Sequence, residues 1–164
     1  MARNKSVSSP NKETVSQTSF TFPQLHQEVS SVVSDAVGST WFNRQAGGNF
    51  NNEYSTYVMG KFKCNYKSCP NNGWSSKKVS ILIRGYPNNG YGAIVFNQRC
   101  ESCNQLGSLI LDNTSYVDRV SYRIKKWAGV PVQEQYYASK EGPRHKSELC
   151  EGCKRGLCRQ AEWY

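Results

Sequence analysis

Residues 145–158 read HKSELCEGCKRGLC and place one histidine and three cysteines within fourteen positions. Two shorter stretches upstream carry the other cysteines: CNYKSC at residues 64–69 and CESC at residues 100–103. Close pairs of this kind let two side chains from one turn reach a single tetrahedral ion. Seven cysteines and one histidine fill two four-ligand sites, so the sequence predicts two zinc ions. The predicted metal ligands are Cys64, Cys69, Cys100, Cys103, His145, Cys150, Cys153 and Cys158.

The eight ligands divide between two ions in one of two ways. In a sequential division, the first two pairs form an all-cysteine site and residues 145–158 form a mixed site of three thiolates and one imidazole. In an interleaved division, the pairs alternate between the ions. We favour the sequential division because every chelating group is then local. Four protein ligands leave no open position on the metal, which predicts structural rather than catalytic zinc.

His145 gives the weakest signal among the ligands, because a single histidine is more often an ordinary surface or packing residue. Its separation from Cys150 equals the separation of Cys153 from Cys158, and this symmetry favours a ligand. The other histidine, His26, falls in a predicted helix without ligand neighbours and is not assigned to a site.

Other uses of the cysteines are less well supported. An odd number of thiols argues against a complete disulfide framework. Inert core cysteines would lie in apolar runs, whereas these lie beside Asn, Lys, Gly and Glu. A redox role for Cys100 and Cys103 is disfavoured because no tryptophan or proline flanks the pair. An iron–sulfur cluster stays an alternative on spacing alone, and a brown colour would reveal it.

The length and polarity of the chain suit a small metal-stabilised domain. At 164 residues there is room for one domain with some unstructured flank, and only 37% of the residues are hydrophobic. The mean hydropathy is −0.69, so we expect metal coordination to supplement a thin core. No secretory signal or membrane-spanning run is visible, which predicts a soluble protein in a reducing compartment, the cytoplasm rather than the nucleus.

The charge is unevenly distributed and suggests RNA as a partner. The formal net charge is +9, and residues 1–59 hold four charges of each sign, so the excess lies in residues 60–164. Seven thiolates and two zinc ions would lower this excess, but the loaded domain stays basic. The predicted phosphate contacts are Lys61, Lys63, Lys77, Lys78, Arg84, Arg99, Arg123, Lys125, Lys126, Lys154, Arg155 and Arg159.

Three segments are predicted along the chain: a disordered tail at residues 1–20, an amphipathic helix and loop at residues 21–53, and a zinc-binding domain at residues 54–160. The helix should run over residues 23–37, with Thr21 as its cap and Gly38 as its end. We expect its apolar stripe to pack on the zinc domain. The stripe consists of Leu25, Val29, Val32, Val33, Ala36 and Val37.

The zinc domain is predicted to have an α+β fold with an antiparallel hairpin or sheet and one or two helices. Strands are expected at residues 57–63, 78–85, 92–98 and 107–111, with Val79, Ile81 and Ile83 on one face. Ser80, Leu82 and Arg84 are expected on the other face.

A second helix at residues 116–127 should have Ser115 as its cap, Asp118 in its first turn, and Lys125 and Lys126 in its last. Its apolar stripe consists of Tyr116, Val120, Ile124 and Trp127. Residues 132–144 read as a polar connection to the last ligands.

Several motifs, in order, resemble the 3CxxC-type zinc-finger family, which includes receptor-transporting proteins and zygote arrest proteins. They are GKFKC at residues 60–64, WSS at 74–76, FNQRCESC at 96–103 and the stretch at 145–158. Two departures stand out. The first cysteine pair has four intervening residues rather than two, and the chain stops at Tyr164, where receptor-transporting proteins carry a membrane segment.

The resemblance implies two functions. Similarity to zygote arrest proteins implies a soluble, non-enzymatic module that binds RNA, for which tyrosine, phenylalanine and tryptophan side chains supply stacking surfaces. Similarity to receptor-transporting proteins implies instead a protein-binding adaptor for membrane receptors. An enzyme is disfavoured, because the closed sites use all eight ligands and no nucleophile triad, phosphate loop or carboxylate pair is present.

Overall fold

The computed structural model describes residues 17–133 and 144–159 and confirms an α+β fold. Three helices and six strands follow one another along the chain. They are β1 (Ser19–Phe20), α1 (His26–Val37), β2 (Trp41–Phe42), β3 (Asn52–Cys64), β4 (Gly73–Tyr86), β5 (Gly90–Phe96), β6 (Gly107–Leu111), α2 (Asn113–Trp127) and the single turn α3 (Glu151–Lys154). Two short 3₁₀ helices, Pro23–Leu25 and Ser147–Leu149, precede α1 and α3.

The strands form one sheet in the order β1-β5-β4-β3-β6, and β2 pairs in parallel with β5. The long β3–β4 pair is antiparallel and contains an irregularity between Val58 and Gly60. The β4–β5 pair is the predicted hairpin, closed by Pro87, Asn88 and Asn89. Both asparagines have positive φ angles, near 60°, a conformation that asparagine tolerates better than most residues.

One face of the sheet packs against α1 and α2 and forms the main core. Val79, Ile81 and Ile83 point to this face and are completely buried, as the alternation along β4 predicted. Leu25, just before α1, and Val29 and Val33 within it pack on the same core, which confirms that this helix packs on the zinc domain. Tyr116, Val120 and Ile124 do the same for α2, and Trp127 packs at its edge.

The first helix differs from its prediction in three respects. The α-helix starts at His26 after the 3₁₀ turn, and Thr21 does not cap either element. Val32 and Ala36 were predicted in the buried stripe but are exposed, because the side that faces the core is set by residues four apart, such as Val29 and Val33. Gly38 ends the helix as predicted, with a φ of 80°.

The second helix begins earlier than predicted. Its cap is Asp112, whose carboxylate accepts a hydrogen bond from the Ser115 backbone N–H at 3.0 Å. Ser115, the predicted cap, lies inside the helix, and its hydroxyl accepts from the Met59 N–H at 3.0 Å. Asp118 consequently lies beyond the first turn, whereas Lys125 and Lys126 occupy the last turn as predicted.

Two further boundaries need correction. Ser19 and Phe20 pair with β5, and the Thr18 carbonyl accepts a hydrogen bond from the Asn97 N–H at 2.9 Å, so the end of the predicted tail belongs to the fold. Residues 1–16 of that tail lie outside the described part of the chain. The predicted loop before the domain contains β2. Most of the predicted polar connection, residues 134–143, also lies outside the described part.

The second face of the sheet is covered as well, which the alternating pattern did not predict. Ser80 and Leu82 lie on this face and are completely or almost completely buried. The loop before β3 covers one end, where the Arg84 guanidinium donates to the Ala46 carbonyl at 2.8 Å. Residues 144–159 cover the other end, so the sheet is the middle layer of three.

Across the described ranges, 17–133 and 144–159, no helix combines the length and apolarity needed to cross a lipid bilayer.

Two buried tyrosines predict a loss of stability at alkaline pH. Burial raises the pKa of Tyr91, and a smaller contribution comes from the neighbouring Tyr116, whose own pKa is raised by burial. A group whose pKa is raised on folding stabilises the fold below its unfolded value, about 10 for tyrosine, and this stability is lost as the pH rises further. We therefore expect the buried tyrosines to ionise together with unfolding above about pH 10.

Absorbance at 295 nm and far-ultraviolet circular dichroism, followed together from pH 8 to 13, measure this coupling. The Tyr91→Phe variant is the control, since it should reduce the tyrosinate signal that appears with unfolding. The Tyr91 hydroxyl contacts His26 Nδ1 at 2.9 Å, so His26 has a packing role. Complete ionisation of all tyrosines before any loss of secondary structure would contradict the prediction.

Candidate metal centres and the groove between them

The first cluster consists of Cys64, Cys69, Cys100 and Cys103, whose sulfur atoms all lie within 4.8 Å of one another. Cys64 Sγ lies 3.5 Å from Cys103 Sγ, and Cys69 Sγ lies 3.7 Å from Cys100 Sγ. Four sulfurs at 2.3 Å from a tetrahedral zinc ion would be separated by about 3.8 Å. The cluster therefore fits one zinc ion with four thiolate ligands.

Strand ends and tight turns position these four thiols. Cys64 is the last residue of β3, and the turn that follows brings Cys69 back through a hydrogen bond from its N–H to the Tyr66 carbonyl at 3.0 Å. The four-residue spacing of this pair thus still closes the site. The second pair lies in a turn after β5, closed by the Asn104 N–H bonding the Cys100 carbonyl at 2.7 Å.

The surroundings of Cys100 favour a thiolate. Burial raises the pKa of this thiol, but backbone N–H groups of Cys103 and Ser102 stabilise the charged sulfur, and the pKa falls to about 7. The Asn71 side-chain amide also donates to Cys100 Sγ at 3.4 Å. Such donors orient a metal ligand and offset part of its negative charge.

The second cluster consists of His145, Cys150, Cys153 and Cys158, with ligand atoms again within 4.8 Å of one another. His145 Nε2 lies 3.4 Å from Cys153 Sγ and 3.5 Å from Cys158 Sγ. A nitrogen and a sulfur on one tetrahedral zinc ion would be about 3.6 Å apart. The cluster fits a second zinc ion, and the two groupings confirm the sequential division of ligands.

The short helix α3 and the sheet hold the second cluster. Cys150 caps α3, since its Sγ accepts from the Cys153 N–H at 3.4 Å. The His145 ring is buried against Tyr57, with ring centroids 5.2 Å apart. Gly152 lies so close to the sheet that an added Cβ would be 2.8 Å from Ser80 Oγ.

Two thiols of the second cluster, those of Cys150 and Cys153, have raised pKa values and therefore need a cation to ionise at neutral pH. Burial, followed by the charge of the neighbouring Cys158, raises the pKa of Cys153 to about 11. Hydrogen bonding to Cys158, followed by burial, raises the pKa of Cys150. Zinc would supply the missing positive charge, and its binding would release protons.

A groove of about 700 Å³ lies between the two clusters. Its apolar lining comes from Met59, Trp74, Ile110, Leu111 and Leu149. Six basic residues surround this lining: Lys61, Lys77, Lys78, Arg99, Arg144 and Lys146. Two acidic residues, Glu101 and Asp112, also line the groove, so its charge is strongly positive.

The six cations fall into two groups by their contacts. Arg99 bonds Glu151 at 2.8 Å and Lys146 bonds Glu101 at 2.7 Å. By contrast, the described part of the chain provides no carboxylate partner for Arg144 or for the three lysines Lys61, Lys77 and Lys78. These three lysines are therefore available to form ion pairs with a negatively charged ligand.

Trp74 has a fixed orientation in the groove wall. Its ring stacks on Phe62, with centroids 5.1 Å apart and planes within 9° of parallel. Its Nε1–H donates to Gln98 Oε1 at 2.9 Å, and Gln98 Nε2 donates to Ser76 Oγ at 3.2 Å. The groove therefore offers an aromatic surface that does not need to be ordered on binding.

The predicted phosphate contacts do not form one surface. Four of them, Lys61, Lys77, Lys78 and Arg99, line the groove. The other eight do not line it: Lys63, Arg84, Arg123, Lys125, Lys126, Lys154, Arg155 and Arg159. Arg84 and Lys154 pair with Glu53 and Glu151, at 2.9 and 3.4 Å.

Two basic residues of the groove were missing from the predicted phosphate contacts. Arg144 and Lys146 flank the ligand His145 along the chain, so a folded second cluster carries them to the groove. Their position next to a metal ligand was the available signal. It was missed because basic residues are scattered over much of the chain.

Comparison with known proteins supports the metal assignment. No curated protein and no solved structure matches the chain. A family model does match: the zinc-binding domain Zn_ribbon_3CxxC, over residues 57–156, which is well over half of the chain. This range contains seven of the eight clustered ligands, and Cys158 lies just beyond it. The chain therefore belongs to the Zn_ribbon_3CxxC family of zinc-binding domains.

Proposed function

We propose that this chain is a non-enzymatic, zinc-held scaffold that binds single-stranded RNA in the groove between its two metal clusters. The observation that carries this proposal is the combination of six cations with an apolar, aromatic lining in one groove. Cations meet the phosphates, while unpaired bases meet the apolar surface. Because its thiol ligands persist in a reducing compartment, we infer that binding takes place in the cytoplasm or the nucleus.

The distribution of charge favours RNA over a protein partner. Three lysines of the groove have no carboxylate partner in the described residues, and like charges that line one groove favour a polyanion. The resemblance to zygote arrest proteins points the same way. An adaptor resembling receptor-transporting proteins is the alternative.

The metal clusters support a non-enzymatic role. Each cluster supplies four protein ligands, which is the full tetrahedral complement of a zinc ion. A zinc ion bound in this way has no open position for a water molecule or a substrate. Its contribution is to hold the groove walls in place.

Replacing the three unpaired groove lysines should weaken RNA binding and reduce its salt dependence. We expect the Lys61→Gln, Lys77→Gln, Lys78→Gln triple variant to flatten the slope of log affinity against log salt by about 2, since each lost phosphate contact removes about 0.7 for a single strand. Fluorescence anisotropy with a labelled unstructured RNA, at several salt concentrations, measures the slope.

The matched control is a Lys125→Gln, Lys126→Gln variant, which removes cations from the last turn of α2, outside the groove. This variant should bind RNA nearly as tightly as the unaltered chain. If the unaltered chain does not bind RNA, or its affinity does not change with salt, the proposal fails. Recovery of specific proteins from a nuclease-treated lysate would then favour the adaptor.

A further inference from the structure

Two arginines, Arg123 and Arg159, contact Tyr54 near the start of β3, and Arg119 contacts Thr56 two residues along. We name Tyr54, Arg119, Arg123 and Arg159 the tyrosine–arginine cluster. This part of β3 pairs only with β4, because β6 pairs with residues from Gly60 onwards. The strand edge is therefore available to side chains from α2 and from the end of the second metal cluster. The cluster does not line the groove described above.

The contacts within the cluster are close. The Arg123 guanidinium lies over the Tyr54 ring, with Cζ 3.5 Å from the centroid. Arg159 Nη1 donates to the Tyr54 hydroxyl at 2.8 Å, and Arg119 Nη1 donates to Thr56 Oγ1 at 3.1 Å. Two arginines of α2 and one from the end of the second metal cluster thus bring their cations to one short stretch of strand.

Arg123 is the unusual member of the cluster. Only 9% of this residue is exposed, yet among the described residues its N–H groups have no hydrogen-bond acceptor and no carboxylate partner. Stacking on Tyr54 uses the face of the guanidinium and leaves its N–H donors unused. Buried cations are normally paired, because an uncompensated charge is costly to remove from water.

The nearby cation makes this arrangement more costly. The Arg159 guanidinium also lies near the Tyr54 ring, with Cζ 5.7 Å from the centroid. The ion pairs of the described residues use Glu53, Glu101 and Glu151, and none of them reaches this cluster. Two like charges held beside one ring repel each other, and a shared anion would remove that repulsion.

We propose that the tyrosine–arginine cluster binds a phosphate group. The planar forks of Arg123 and Arg159 suit the oxygens of a tetrahedral oxyanion, and Tyr54 holds both forks in position. The phosphate comes either from the free ion or from a phosphate of a nucleic acid. The site is separate from the groove, so it does not depend on RNA binding there.

Thermal unfolding of the zinc-loaded full chain tests this site. Inorganic phosphate is added at constant ionic strength, with chloride as the balancing anion. We expect the Tm to rise with phosphate and to follow the saturation of a single site, because a ligand that binds only the folded state stabilises it. The Arg123→Met and Arg159→Met variants should lose this phosphate-dependent rise.

Two further variants keep the test decisive. Lys126→Met removes a cation from the same helix and should keep the full rise in Tm. Arg123→Lys preserves the charge but not the fork, so it should fold and yet bind phosphate at least about tenfold more weakly. An equal rise in the unaltered chain and in the arginine variants, or no rise in any of them, would overturn the proposal.

A second arm identifies the source of the phosphate. The same labelled single-stranded RNA is titrated into the unaltered chain and the Arg123→Lys variant. A loss of RNA affinity in the variant assigns the site to a nucleic-acid phosphate. An unchanged affinity, together with the phosphate-dependent Tm, assigns it to the free ion. If the groove binds no RNA at all, the arm with inorganic phosphate still stands on its own.

Discussion

Removal of both zinc ions is expected to abolish the cooperative thermal unfolding of this chain. Structural zinc contributes about 10–16 kcal/mol of apparent binding free energy in small zinc-finger domains, whereas whole domains are stable by only about 5–15 kcal/mol. The clusters are also central to the fold, since Cys100, Cys150 and Cys158 are among its completely or almost completely buried residues. Without metal, these thiols would leave the two ends of the sheet unsupported.

Calorimetry before and after dialysis against a chelator measures this loss, and metal analysis of the untreated chain should give two zinc ions. Returning zinc should restore the transition. Replacing the four ligands of the second cluster with alanine should leave one zinc ion in the first cluster. A sharp, unchanged transition in the metal-free chain would show that the ions are dispensable.

The Phe62→Ala substitution is expected to lower the free energy of unfolding of the zinc-loaded chain by about 3–5 kcal/mol. Phe62 is only 2% exposed and belongs to the main core. Its ring also supports Trp74, and β3 continues from it directly to the ligand Cys64. Truncation would leave a cavity between the core, the groove wall and the first cluster.

Urea denaturation with zinc present measures this change. The matched control is Ile110→Ala on the neighbouring strand β6, where half of the side chain is exposed. This control should change the free energy of unfolding by less than about 1 kcal/mol. Equal losses in the two variants would contradict the assignment of Phe62 to the core.

The metal clusters were predictable because most of their information is local. Spacing indicated the eight ligands and favoured the sequential division over the interleaved one, and the structure confirms both groups of four. The strand at residues 107–111 and the apolar stripe of α2 were likewise read correctly from short patterns. Each of these features depends on neighbours a few positions away in the chain.

The features that the sequence did not predict depend on contacts between residues far apart in the chain. Ser80 and Leu82 alternate with the core residues of β4 and were predicted only as the other face. They are buried because the loop before β3 and the second cluster cover that face. For example, the Ser55 hydroxyl donates a hydrogen bond to the Leu157 carbonyl at 2.9 Å. The groove and the tyrosine–arginine cluster depend on the same long-range packing, so the sequence indicated several of their cations but not how these are grouped.

The two clusters differ in how far apart their ligands lie along the chain, and this difference has a kinetic consequence. The second cluster closes between His145 and Cys158, within fourteen residues, whereas the first spans Cys64 to Cys103. Closing a longer loop costs more chain entropy, and contacts between distant residues form more slowly. On loop length alone, we therefore expect the second cluster to close around zinc faster than the first during refolding, since the first also needs the β4–β5 hairpin.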